Sequence, residues 1–106
     1  MEKKIKLIKN GFDRFNQFYK KKKNKDAIRC LKDILKLDPK NLQALFFLGI
    51  TNVQNKKFDE AKKILLDFVK INPNYPNVHY NLGIINYNLN ELKESINNYQ
   101  TTLKIH

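Results

Sequence analysis

Cys30, His79 and His106 are the chain's only thiol and imidazoles. A nucleophilic site needs a thiol or hydroxyl beside a base. A structural zinc site needs four Cys or His ligands at short, regular spacing. These three residues stand far apart, and none forms a Cys/His pair at ligand spacing. Cys30 directly precedes an apolar residue, Leu31, and reads as inert. No phosphate-binding loop and no nucleophile motif is present. The acidic residues are scattered as helix caps and surface charges rather than paired. With one cysteine, a disulfide framework is impossible. The expectation is a chain with no catalytic residue, no metal and no cofactor, and not an enzyme. What remains is binding, so the question becomes which elements could build a binding surface.

Those elements repeat. LKLDPKN at 35–41 returns as VKINPNY at 69–75, and Pro39 and Pro73 stand 34 residues apart. At that period further columns align. Asp26, Glu60 and Glu94 form an acidic column, followed by the small residues Ala27, Ala61 and Ser95. Leu31, Leu65 and Tyr99 follow, then Leu35, Val69 and Leu103, then Leu37, Ile71 and Ile105. Leu48-Gly49 matches Leu82-Gly83. A fixed period of this length marks stacked supersecondary units.

Each unit reads as two helices. Leu42, Leu45, Phe46, Leu48, Ile50 and Val53 recur on a helical period, as do Phe58, Ala61, Ile64, Leu65, Phe68 and Val69. Asn55-Lys56-Lys57 is a polar turn between them, and Asp59 and Glu60 suit the positive end of the second helix dipole. Pro39, Pro73 and Pro76 punctuate the units. The periodicity predicts six helices, near 4–21, 24–37, 41–54, 58–71, 75–88 and 92–105. Gly49 and Gly83 each cost about 1 kcal/mol of helix propensity relative to Ala. Their recurrence at one place implies a close helix approach, with Ala61 and Ser95 as the expected facing positions.

The charge is uneven. The net +11 sits almost wholly in residues 1–40, which carry 14 basic against 5 acidic residues; residues 76–106 carry 2 against 2. The run KKKKNK at 20–25 is the densest part. An electrostatic patch for nucleic acid or another polyanion is one reading. A solvated turn and end cap is the other, since the terminal unit of a stack needs a polar outer face. The second is favoured, because Phe12, Phe15, Phe18 and Tyr19 fall at helical spacing and suit a core better than base stacking. A basic nucleic-acid-binding module is kept as an alternative. No stretch approaches the ~20 apolar residues of a membrane span, and MEKKIKLIKNGF lacks the apolar segment of a signal peptide. No membrane partner and a cytoplasmic location are expected.

The pattern LxxLG, a second helix opening with Asp/Glu-Ala, and a proline 12 residues after that alanine resembles the tetratricopeptide repeat (TPR) family. LFFLG at 45–49 and HYNLG at 79–83 carry the first-helix signature, and DAIRCLKDILKLDP the second helix of unit one. The resemblance implies an all-α, right-handed α-solenoid of three stacked helix-turn-helix units, about 8–41, 42–75 and 76–106, in one domain spanning 1–106. Unit one admits two registers. Gly11, Arg14 and Phe15 stand where the others have Leu45 or His79, Leu, and Gly; a turn one residue longer would instead place Phe12, Phe15 and Tyr19 in the buried columns. His79 reads as a packing residue in the Leu45 column.

The resemblance further implies a concave groove lined by first helices. The expected groove residues are Phe46, Ile50, Val53, Asn77, Tyr80, Asn81, Ile84 and Tyr87, with Gln43 beside them and Lys9, Phe12, Asn16 and Tyr19 in unit one. Asn81 matches the family's concave-face asparagine, a place held by Asp13 and Phe47 in the other units. The family's clamp for acidic chaperone tails requires Lys and Asn at positions that are here Phe12, Asn16, Phe47, Asn77 and Asn81. Only Asn16 agrees, so such tails are not expected ligands. The implied function is a protein–protein interaction scaffold binding a peptide or partner protein. The alternative is a substrate-selecting N-terminal arm of a larger glycosyltransferase-like or sulfotransferase-like enzyme, since the repeats are similar to the TPR arms of O-GlcNAc-transferase-like proteins. The next proline of the period would fall one past His106, so the chain reads as a fragment of a longer array, with self-association through its open C-terminal end.

Overall fold

The computed structural model describes residues 1–105; His106 lies outside the described residues. Six helices follow one another: α1 (Glu2–Lys20), α2 (Asn24–Leu37), α3 (Leu42–Gln54), α4 (Phe58–Ile71), α5 (Pro76–Asn88) and α6 (Leu92–Lys104). No strand occurs among the described residues. The chain is an all-α solenoid of three helix pairs, 44 Å along its longest dimension.

Local chemistry sets the boundaries. Asn41 caps α3, its Oδ1 accepting from the Ala44 amide at 2.9 Å. Pro76 opens α5, where its fixed φ suits the first turn and no amide is missed. The turns inside the three pairs are the same device. Lys22, Lys56 and Asn90 are left-handed, at φ 58°, 61° and 62°. The next amide in each reaches back to the helix, Lys23 to the Phe18 carbonyl, Lys57 to Asn52 and Glu91 to Asn86, at 2.8–2.9 Å. This is the Schellman closure, which normally uses glycine. A lysine there costs roughly 1 kcal/mol or more.

These left-handed residues stand 34 apart, so the turn is equally long in every unit and the longer-turn register for unit one does not hold. Phe15 therefore occupies the glycine position, and it is buried. It fits because α1 and α2 approach closest one helical turn away. A Cβ on Gly11 would lie 2.7 Å from Ile34 Cγ1. In the other pairs the glycine meets a different partner from the one expected. A Cβ on Gly49 would overlap Leu65 Cδ2, and one on Gly83 would lie 2.6 Å from Tyr99 Cε1. Ala61 is fully buried nearby, and Ser95 Oγ donates to the Gly83 carbonyl at 2.8 Å. The small column thus lets backbones approach, while the residue four places on fills the space above the glycine.

Two cores lie along the stack. One joins Phe15, Leu31 and Ile34 to Ala44 and Leu48 of α3. The other joins Leu45, Leu65 and Phe68 to Val78, Leu82 and Ile85 of α5. Each core sits between one helix pair and the first helix of the next, so no pair buries its apolar face alone.

Candidate functional site

Three first helices, α1, α3 and α5, share one side of the stack and border an open hollow of about 370 Å³. Its wall takes Phe15, Asn16 and Tyr19 from α1, Phe46, Phe47, Ile50 and Thr51 from α3, and Asn77 and Asn81 from α5. A second hollow of about 300 Å³ shares Phe46 and Phe47 and continues to Leu42, Gln43, Phe68, Asn72 and Tyr75.

The floor is an aromatic chain. Phe15 stacks on Tyr19 and on Phe47, both at 5.4 Å between centroids. Phe47 meets Phe46 at 5.9 Å, and Phe46 meets the edge of Tyr75 at 5.6 Å. Such pairs add about 0.5–1.5 kcal/mol each beyond area burial, so the floor is stiff. Tyr19 is further tied across units, Gln54 Nε2 donating to its hydroxyl at 2.9 Å. Thr51 Oγ1 donates to the Phe47 carbonyl at 2.7 Å. Asn81 Nδ2 donates to the Asn77 carbonyl at 2.7 Å, which leaves its Oδ1 as the amide's acceptor.

Of the eight residues expected in the groove, Phe46, Ile50, Asn77 and Asn81 line it. Val53, Tyr80, Ile84 and Tyr87 do not. Val53 packs on the second core, Ile84 is half-buried, and Tyr80 lies against Tyr99 at 5.8 Å. Tyr87 is 64% exposed. The cause is rotational. Positions 46, 50 and 53 fall on the flank of α3 that faces α5, and the groove face is turned toward Phe47. In unit three the same flank, 80, 84 and 87, has no following helix, so it lies at the end of the stack. Phe15 and Thr51 were not anticipated. Of the flanking residues, Asn16 and Tyr19 border this hollow and Gln43 the second, whereas Phe12 packs on the first core and Lys9 borders neither.

Two of the reactive side chains, Cys30 and His79, are buried. Cys30 is buried, and burial pushes its thiol pKa up, away from the nucleophilic thiolate. His79 is buried with Nε2 2.6 Å from the Pro73 carbonyl, so that nitrogen carries the proton and donates. Among the described residues no cluster of three metal-ligating side chains occurs, and no helix is long and apolar enough to cross a membrane.

Known structures share this architecture. A crystal structure of MamA is 26% identical, with a TM-score of 0.90, over 94% of this chain and 55% of that one. The chain thus spans about half the length of the MamA structures it matches. The second TPR of Spaghetti (RPAP3), solved with the HSP90 peptide SRMEEVD, matches at TM-score 0.88 and 21% identity over the whole of both chains. The Thermobaculum terrenum O-GlcNAc transferase matches at 0.86 and 20% identity, over 97% of this chain and 20% of that enzyme. At such identities the last two show the fold alone. No curated protein sequence matches. The tetratricopeptide-repeat profile matches residues 18–80, more than half the chain; with the 34-residue columns and three repeated turns, this places the chain in the tetratricopeptide repeat family.

Proposed function

We propose that the chain is a protein-interaction scaffold whose groove between α1, α3 and α5 takes an extended peptide bearing apolar side chains. The observation that carries the proposal is the aromatic floor, Tyr19–Phe15–Phe47–Phe46, walled by Asn16, Asn77 and Asn81. A rigid apolar floor takes side chains at little entropic cost. Amides at the wall satisfy the peptide's backbone groups, which would otherwise be desolvated without partners. The peptide-bound RPAP3 domain shares the fold, and this supports the ligand class. Acidic tails are not the proposed ligand: the groove presents aromatic and amide groups and no lysine.

The test separates groove from charge. Peptides selected by display against the whole chain are titrated by fluorescence polarisation. Asn81→Ala is expected to weaken them by about tenfold or somewhat less, the worth of one hydrogen bond. Lys21→Glu/Lys23→Glu should leave affinity nearly unchanged, and salt should have little effect. Binding that falls steeply with salt and vanishes in the lysine variant would establish the polyanion reading instead.

A further inference from the structure

One face of each second helix carries the stacking contacts. In α2 it holds Asn24, whose Nδ2 donates to Asn55 Oδ1 of the next pair at 2.9 Å, and the half-buried Ile28 and Leu35. In α4, 34 residues on, it holds Phe58 and Val69, packed on the second core, and Lys62, whose Nζ donates to Glu91 Oε2 at 3.1 Å. In α6 the same columns are Leu92, Ile96, Tyr99 and Leu103. Leu92 is 50% exposed, Ile96 57% and Leu103 69%. A face that is an interface twice within the molecule is apolar and open the third time.

We propose that this face is covered by α6 of a second copy, the two helices running antiparallel about a two-fold axis near residues 97 and 98. The other end of the molecule is a poor cover. α3 and α5 pack backwards through Ala44, Leu48 and Thr51 and through Val78, Leu82 and Ile85, all buried. The same columns of α1 are Asn10, Arg14 and Gln17, all exposed. Head-to-tail stacking would bury Arg14 without a partner.

The α6 stripe is self-complementary. Its spacing of four, three and four residues reads the same in both directions. Antiparallel pairing sets Leu92 against Leu103 and Ile96 against Tyr99, the knobs-into-holes arrangement of a short coiled coil. Residues 76–106 carry no net charge, and the +9 of residues 1–40 lies in the first helix pair. A two-fold contact also closes at two copies, whereas head-to-tail contacts grow without limit.

Sedimentation equilibrium on the 106-residue chain, from micromolar to millimolar, tests this. The expected result is a monomer–dimer equilibrium with nothing larger. Leu103→Glu, at an exposed site, should keep the helical spectrum and melting temperature of the monomer while weakening the dimer by ~10-fold or more. Ile96→Glu serves as the second variant of this kind. Arg14→Leu, at the other end of the stack, should not change the dimer. A monomer at every concentration overturns the proposal. So does a dimer that survives Leu103→Glu and Ile96→Glu, or an open-ended series of species.

Discussion

The two ends of the stack are built on the same columns and meet water in opposite ways. At the N-terminal end the backward-packing columns hold Asn10, Arg14 and Gln17, all exposed. At the C-terminal end the forward-packing columns hold Leu92, Ile96 and Leu103, each at least half exposed. The first end is polar and strongly basic and needs no cover. The second is apolar and neutral. In between, residues of the same columns are enclosed: Leu65 has no exposed surface, while Tyr99, one repeat later, is half-buried. In a solenoid, then, burial at a column is set by the neighbour, and the residue type records whether a neighbour was provided for.

Paired substitutions probe that contrast. The largest difference is expected between Leu65→Ala and Leu103→Ala, measured by urea unfolding at a concentration that keeps the chain monomeric. Removing the enclosed Leu65 should cost about 2–5 kcal/mol, as buried leucines do. Removing Leu103 should change stability by less than about 0.5 kcal/mol. Similar costs would mean that the C-terminal face is covered within the monomer.

A smaller difference is expected between Gly49→Leu and Gly83→Leu. Gly49 faces Leu65, which is held on every side; Gly83 faces Tyr99, which lies beside the open end. Gly49→Leu should cost about 1–3 kcal/mol or more by overpacking. Gly83→Leu should cost less, because the tyrosine ring has room to swing outward. The opposite order of urea midpoints would place the tighter contact at the end of the stack.

The smallest effect concerns the ion cluster by which Lys62 bridges two pairs. The hydrogen bond from Lys62 holds the Glu91 carboxyl below its usual pKa, with Glu94 adding to it. Burial pushes Lys62 down, but Glu91 and Glu94 together outweigh it, so its pKa rises. A depressed carboxyl stabilises the fold above its unfolded pKa and loses that contribution as pH falls through the folded value. A raised lysine contributes below its unfolded pKa and loses it as pH rises through the folded value. Melting temperature should therefore sag at both acid and alkaline extremes, and part of each sag should disappear in Lys62→Met. Identical pH profiles for the two proteins would show that the bridge does not help hold the last pair to the stack.

Much of this molecule was legible in its sequence. A 34-residue recurrence of apolar, small and acidic residues determined the number of helices, and most boundaries to within a residue: 24–37 and 58–71 were expected and found. Helical periodicity is local, since it depends only on which residues share a meridian of one helix. The proposed groove was read from largely apolar stripes alone. Phe46, Ile50, Asn77 and Asn81 line it, whereas the stripe through Tyr80 and Tyr87 faces a neighbour's place. A first helix in a solenoid touches its own partner, the preceding pair and the following pair, and a stripe of apolar residues does not say which of these it serves. Other features arose only in the assembled chain. Lysines in left-handed turns carry no glycine signal, and Phe15 could replace a glycine only because Gly11 moved the close approach by one turn. The sequence set the faces of each helix; the stack, by deciding which neighbour each face meets, determined which became core, which became groove, and which stayed open at the end.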